Sequence, residues 1–133
     1  MSDERQTYLD ASALVKLIVS EAESAALRAH LVERPHRASC ALAQVEVVRA
    51  VRPEGSGAVD RAREMLQDVA IVALDEPLLV AAANLQNEDL RSLDAIHVAA
   101  AVSVGPKLAE LITYDRRMAR AAEGLGLPVI SPA

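Results

Sequence analysis

Twice in this chain a short apolar run stops at an aspartate, and a helical pattern begins directly behind it. The first instance is Thr7 to Leu9, then Asp10, then a stretch from Ser12 with apolar residues at 13, 14, 17 and 18. The second is Leu108 to Thr113, then Asp115, then Arg116 to Glu123. Short apolar runs of this kind fit buried strands, and apolar residues three and four apart fit one face of a helix. Each aspartate therefore stands where a strand ends and a helix starts. An aspartate there is a good helix cap, because its carboxylate accepts from the exposed N–H groups of the first turn. It also stands at the edge of an α/β sheet where ligands collect.

The remaining segments repeat the alternation. A second helix is expected from Ser20 to Arg34, with Ser20 as cap, Glu23 in the capping-box position and Pro35 as its stop. Arg37 to Cys40 reads as a strand and Ala41 to Val51 as an apolar helix that contains Glu46. Pro53 to Gly57 reads as a loop, Ala58 to Gln67 as an exposed helix and Ala70 to Leu74 as a strand. Glu76-Pro77 opens a helix to about Leu85, and residues 84–89 form a polar loop. Ser92 caps a helix to Val104 that looks buried on every side, and Val129-Ile130 is a last short strand. Strands alternating with helices imply an α/β fold. Its three α/β/α layers enclose a central, mainly parallel sheet joined by right-handed crossovers. A chain of 133 residues makes one domain, residues 1–133, with residues 1–6 expected as a disordered tail.

Two further acids stand out by their surroundings. Asp94 sits in an apolar helix whose only other polar residues are His97 and Ser103, so a cation, a metal or the helix N-terminus must compensate its charge. Glu46 is inside a helix and cannot be an N-cap; its structural alternative is an ion pair with Arg49, three residues on. Hard-cation sites for phosphate chemistry draw several oxygen ligands from distant segments, which Asp10, Glu46, Asp94 and Asp115 supply. Ser12 and Thr113, each two residues from an acid, are candidates to orient water or a carboxylate. His97, one turn beyond Asp94, reads as a hydrogen-bonded core residue and stays outside the site. Cys40 reads as a small buried residue.

Charge and composition narrow the function. A net charge of −5 argues against gripping nucleic acid by bulk positive charge, but setting the four acids aside brings the balance to −1. Twelve arginines against two lysines favour guanidinium forks that match phosphate. Lys16, Arg91, Arg116 and Arg117 flank the acids and are candidate RNA-phosphate contacts. With no Phe or Trp and two Tyr, the chain lacks aromatic platforms for stacking bases. A single cysteine, a charged start and no apolar run of membrane-spanning length lead to the expectation of a cytoplasmic protein without a membrane partner.

Three segments together resemble a known family. They are Tyr8-Leu9-Asp10-Ala11-Ser12-Ala13-Leu14-Val15-Lys16, Arg91-Ser92-Leu93-Asp94-Ala95-Ile96-His97-Val98-Ala99, and Ile112-Thr113-Tyr114-Asp115 followed by Gly126-Leu127-Pro128-Val129-Ile130. In this order, with Glu46 inside Ala43 to Val47, they look like a PIN-domain ribonuclease, specifically a VapC-type toxin, over essentially the whole chain. The resemblance implies a Mg²⁺- or Mn²⁺-dependent endoribonuclease with its acids at Asp10, Glu46, Asp94 and Asp115 and its hydroxyl residues at Ser12 and Thr113. It also implies an RNA substrate, a cognate VapB-type antitoxin whose tail lies across the active site, and a toxin homodimer. One departure is that Arg116 and Arg117 follow Asp115 and no carboxylate appears until Glu123, which argues against a strong second metal site. Two other readings compete. In an aspartyl phosphotransfer domain Asp10 would be a nucleophile, which Ser12 in place of a second aspartate disfavours. In a non-catalytic α/β binding module the acids would be caps and ion pairs.

Overall fold

Alternation of side chains along the short central strands decides which layer each helix joins. In the computed structural model, which describes residues 4–133, Leu9 and Ile112 point into one cluster of buried residues while Tyr8 and Leu111 point into another. The strands are β1 (Gln6–Leu9), β2 (Arg37–Cys40), β3 (Ala70–Val72), β4 (Leu108–Ile112) and β5 (Val129–Ile130). They form one sheet in the order β3-β2-β1-β4-β5, and every pairing is parallel. The helices are α1 (Ala11–Val15), α2 (Ser24–Leu31), α3 (Leu42–Val51), α4 (Ser56–Leu66), α5 (Glu76–Ala83), α6 (Ser92–Val104) and α7 (Arg116–Gly124).

One layer gathers α1 to α4 over Leu9 and Ile112, with Leu14, Leu27, Leu31, Val47 and Val51 fully or almost fully buried. The other sets α5, α6 and α7 over Tyr8, Cys40 and Leu111, and α6 faces the sheet with Ala95, Ala99, Ala100 and Ala101. Small side chains let a helix lie close to a sheet, so a larger polar group among them meets the strands directly. This is the expected three-layer α/β/α arrangement, with a sheet that is wholly parallel.

Several boundaries differ from expectation. Gln6 is not tail but the first residue of β1, in register with Leu108, while residues 1–3 lie outside the described residues. Ser20 caps nothing. The second helix starts at Ser24, whose hydroxyl donates to the Lys16 and Val19 carbonyls and accepts the Glu21 N–H, and Glu23 is drawn into an ion pair with Lys16 instead of a capping box. Ser92 is the first residue of α6 rather than its cap; Arg91 takes that position without a side-chain bond. Nor is α6 buried on every side, since Leu93 and Val102 are 51% and 46% exposed. It packs against the sheet and α5 and leaves a third face to solvent. No helix among the described residues is long and apolar enough to cross a membrane.

Candidate active site

The chain moves outward from β1 to β2 and β3, then returns to place β4 on the other side of β1. At such a reversal the connections leave in opposite directions and open a crevice at the carboxyl ends of the two strands. Asp10 follows β1 and Asp115 follows β4, so both aspartates stand at that crevice.

Each begins its helix in the same way. Asp10 Oδ1 accepts the Ala13 N–H at 3.0 Å, and Asp115 Oδ1 accepts the Arg117 and Met118 N–H groups at 2.9 and 3.1 Å. Two hydroxyls then join the turns. Ser12 donates to Asp10 Oδ1 at 2.6 Å and accepts the Tyr114 N–H at 3.0 Å, while Thr113 donates to Asp10 Oδ2 at 2.5 Å and accepts the Asp115 N–H at 3.1 Å. Ser12 and Thr113 are therefore not solvated hydroxyls but the stitches between the β1–α1 and β4–α7 turns.

Asp10 is 2% exposed, and burial raises its pKa even though Ser12, Thr113 and Ala13 pull it back. Asp94, in the first turn of α6, is partly exposed; burial and then the charges of Asp115, Asp10 and Glu46 raise its pKa, against the pull of His97. Asp94 thus senses the charges of all three other acids. Glu46 does not pair with Arg49. It reaches from α3 across to α6 and accepts from His97 Nε2 at 2.6 Å. His97 is 2% exposed, and its Nδ1 lies 2.8 Å from the Tyr8 hydroxyl and 3.6 Å from Cys40 Sγ. Burial penalises its charge, yet hydrogen bonds to Cys40 and Glu46 carry its pKa up to about 10.

An ionised carboxylate offers about four acceptor positions, two on each oxygen. Asp10 has one left, on Oδ2; Asp115 has both positions of Oδ2; and Glu46 keeps Oε2. These are hard oxygen donors with mutually repelling charges, the set that suits Mg²⁺ or Mn²⁺. Among the described residues no three such side chains stand in joint coordinating reach of one ion in this conformation. Asp10 is held on both oxygens and Asp115 on Oδ1 alone, while the Asp94 carboxylate has no hydrogen bond among the described residues. The residues fit the ion in chemistry and charge, although this conformation does not gather three of them about one point.

Beside the acids lies a cleft of about 360 Å³ lined by Arg91, Asp94, Asp115, Arg116, Arg117 and Arg120. None of these arginines is in an ion pair among the described residues. Arg120 escaped the sequence reading; its signal was the helical spacing of three and four from Arg117 and Arg116. Lys16 stands apart, 2.8 Å from Glu23 and 4.8 Å from the centre of the Tyr114 ring, with its charge already partnered.

The PIN domain family profile matches residues 7–124, from the first strand to the last helix. The chain belongs to the PIN-domain family. Ribonuclease VapC46 of Mycobacterium tuberculosis is 46% identical over 126 residues, which cover 95% of this chain and 97% of that protein. Ribonuclease VapC35 of the same species is 44% identical over 132 residues, covering 94% and 96%. Among solved structures, the PIN fold seen here resembles a toxin–antitoxin complex from Klebsiella pneumoniae, with a TM-score of 0.72, 24% identity and coverage of 96% and 98%. It also resembles the Mycobacterium tuberculosis sarcin–ricin-loop-cleaving toxin VapC20, with a TM-score of 0.75, 16% identity and coverage of 95% and 99%. The resemblance to VapC-type proteins read from three short segments thus extends over the whole PIN domain.

Proposed function

We propose that this PIN domain is a Mg²⁺- or Mn²⁺-dependent endoribonuclease, the toxin of a toxin–antitoxin pair, in which Asp10, Glu46, Asp94 and Asp115 hold the metal. The observation that carries the reading is the gathering of carboxylates at one crevice, where Asp94 and Asp115 line a single cleft and burial, then the charges of Asp115, Asp10 and Glu46, disfavour the Asp94 carboxylate. A fold keeps such repulsion only where something of opposite charge repays it, and a divalent cation does so with the donors present. The VapC ribonucleases among its relatives support the same substrate class.

When bound, the ion supplies a water of lowered pKa and offsets charge at the phosphoryl oxygens. The chain's own residues do the rest. Ser12, Thr113 and the Ala13 N–H fix Asp10 and leave one acceptor position on Oδ2, and the α7 N–H groups fix Asp115 through Oδ1 alone. Arg91, Arg116, Arg117 and Arg120 line the adjacent cleft, where their unpaired guanidinium groups hold flanking RNA phosphates. We assign Lys16 to the ion pair with Glu23 rather than to RNA. A cognate VapB-type antitoxin is the proposed partner, as the toxin–antitoxin neighbour supports. A homodimer in the cytoplasm completes the reading.

The test is RNA-end sequencing after brief expression of the chain beside an Asp10→Asn control, paired with Mn²⁺ titration calorimetry on the purified proteins. New RNA ends with the parent only, together with Mn²⁺ binding, support the proposal. Absence of Mn²⁺ binding would return the acids to caps and ion pairs in a non-catalytic module.

A further inference from the structure

A buried imidazole must satisfy both ring nitrogens or lose their hydration without return. His97 satisfies them on opposite sides of the fold. Its Nδ1 is backed by the sheet, through the Tyr8 hydroxyl of β1 at 2.8 Å and Cys40 Sγ of β2 at 3.6 Å, and the ring stands edge-on to Tyr8 at 78°. Its Nε2 donates to Glu46 Oε1 at 2.6 Å, so the bond ties α6 to α3, a helix of the other layer. Packing alone needs no such partner. An apolar side chain could fill a buried position on α6, and Glu46, with 27% of its side chain exposed, could reach water instead.

We infer that His97 is a positioning residue for Glu46: anchored on Tyr8, it holds Oε1 and so leaves Oε2 pre-set as a ligand. This rests on the metal-nuclease reading and goes beyond it. A free glutamate side chain has three torsions to fix when it binds an ion, and one held beforehand has already lost that freedom. Residues that orient a ligand in this way are typically worth ten- to a hundredfold in metal affinity or activity. His97, set aside as a core residue in the sequence reading, is both core and support.

The experiment measures Mn²⁺ affinity by calorimetry for the full chain, His97→Asn and His97→Gln, each with Glu46 intact and with Glu46→Gln. An asparagine amide reaches the Nδ1 position and keeps Tyr8 but not Glu46, whereas a glutamine amide reaches the Nε2 position. His97→Asn is expected to weaken Mn²⁺ binding about ten- to a hundredfold, with His97→Gln recovering most of it. Once Glu46 is glutamine, neither change should have an effect, because there is no charged ligand left to position. Equal losses in both backgrounds, or no loss in a folded His97→Asn protein, overturn the inference. If the variants do not fold, Mg²⁺ titration of the unmutated chain decides by ¹⁵N resonances of the His97 ring. These should shift with Mg²⁺ in the parent and not in Glu46→Gln, and a ring indifferent to Mg²⁺ in the parent overturns the inference. A parent that binds no divalent ion sinks the nuclease reading as well, while a parent that binds Mn²⁺ unaffected by His97 sinks this inference alone.

Discussion

Replacing Asp94 by asparagine should stabilise the metal-free protein and remove most of the stabilisation that Mn²⁺ gives. The side chain stands in the first turn of α6, where the helix dipole favours a negative charge by about 0.3–1 kcal/mol. Burial and the charges of Asp115, Asp10 and Glu46 work against it, and together they raise its pKa. The sign follows from proton linkage. A carboxyl whose folded pKa lies above its unfolded value binds more protons when folded, so stability falls as pH rises through that window and stays lower above it. Asparagine carries no such penalty at neutral pH. Asp94 is partly open to solvent, and screening holds the gain to about 0.5–1 kcal/mol. At roughly 4 °C per kcal/mol for a chain of this size, Tm in EDTA should rise by about 2–4 °C. Mn²⁺ at ~100 times its Kd adds about 2.7 kcal/mol to the parent, or about 10 °C. A site weakened a hundredfold retains about 0.4 kcal/mol at the same concentration, under about 2 °C. Differential scanning calorimetry of both proteins with EDTA and with Mn²⁺ measures all four values. A lower Tm for the variant in EDTA would mean that the helix dipole outweighs the repulsion, and equal Mn²⁺ responses would remove Asp94 from the ligands.

Three further outcomes are open to measurement. Thr113→Val strips Asp10 Oδ2 of its donor and the Asp115 N–H of its acceptor; denaturant unfolding should show a loss of about 1–3 kcal/mol, and RNA cleavage should fall with it. Arg116→Ala with Arg120→Ala should raise KM for RNA and flatten its dependence on salt by about two phosphate contacts, whereas an unchanged salt slope would assign the cleft to solvent. Glu110→Gln should lower stability by about 1–3 kcal/mol in urea while leaving RNA cleavage intact, because Glu110 takes bonds from Thr7 of β1, His30 of α2 and Arg34 just beyond α2.

Asp10 and Asp115 were legible because strand and helix periodicities meet at each, and such a junction leaves one place for a polar residue. β3, β4 and β5 overlap the apolar runs of the sequence, whereas β2, Arg37–Cys40, carries no such run. Ser20 misled because a capping box is a local preference. The Lys16–Glu23 pair and the three bonds of the Ser24 hydroxyl are tertiary contacts that outweigh it. The partner of Glu46 was out of reach for a related reason. Arg49 is its neighbour in sequence, but the choice of His97 depends on α3 and α6 meeting above β2, which strand order decides and periodicity does not encode. Arg120 and Glu110 carried ordinary charges in ordinary helix and strand patterns, and only the fold gives each its surroundings.

Capping and metal binding looked like rival explanations of the same aspartates, but a third strand-end aspartate shows why they are not. Asp75 follows β3 at the sheet edge and caps α5 through Oδ1 with the Leu78 N–H at 3.0 Å. It is exposed, and no hydroxyl from a neighbouring turn binds it. That is what capping alone requires. Asp10 caps with the same atom and geometry, yet it is buried and its second oxygen is gripped by Thr113 from another strand. A cap gains nothing from that grip, which carries burial of a charge as its cost. The grip does fix the distance between the β1 and β4 turns, and with it the separation of the Asp10 and Asp115 carboxylates. On the proposed metal-nuclease reading, Oδ1 holds the start of the helix while the acceptor position that Thr113 leaves on Oδ2 is a ligand position held still. Capping and the proposed metal ligation are then compatible roles of one carboxylate, one for each oxygen.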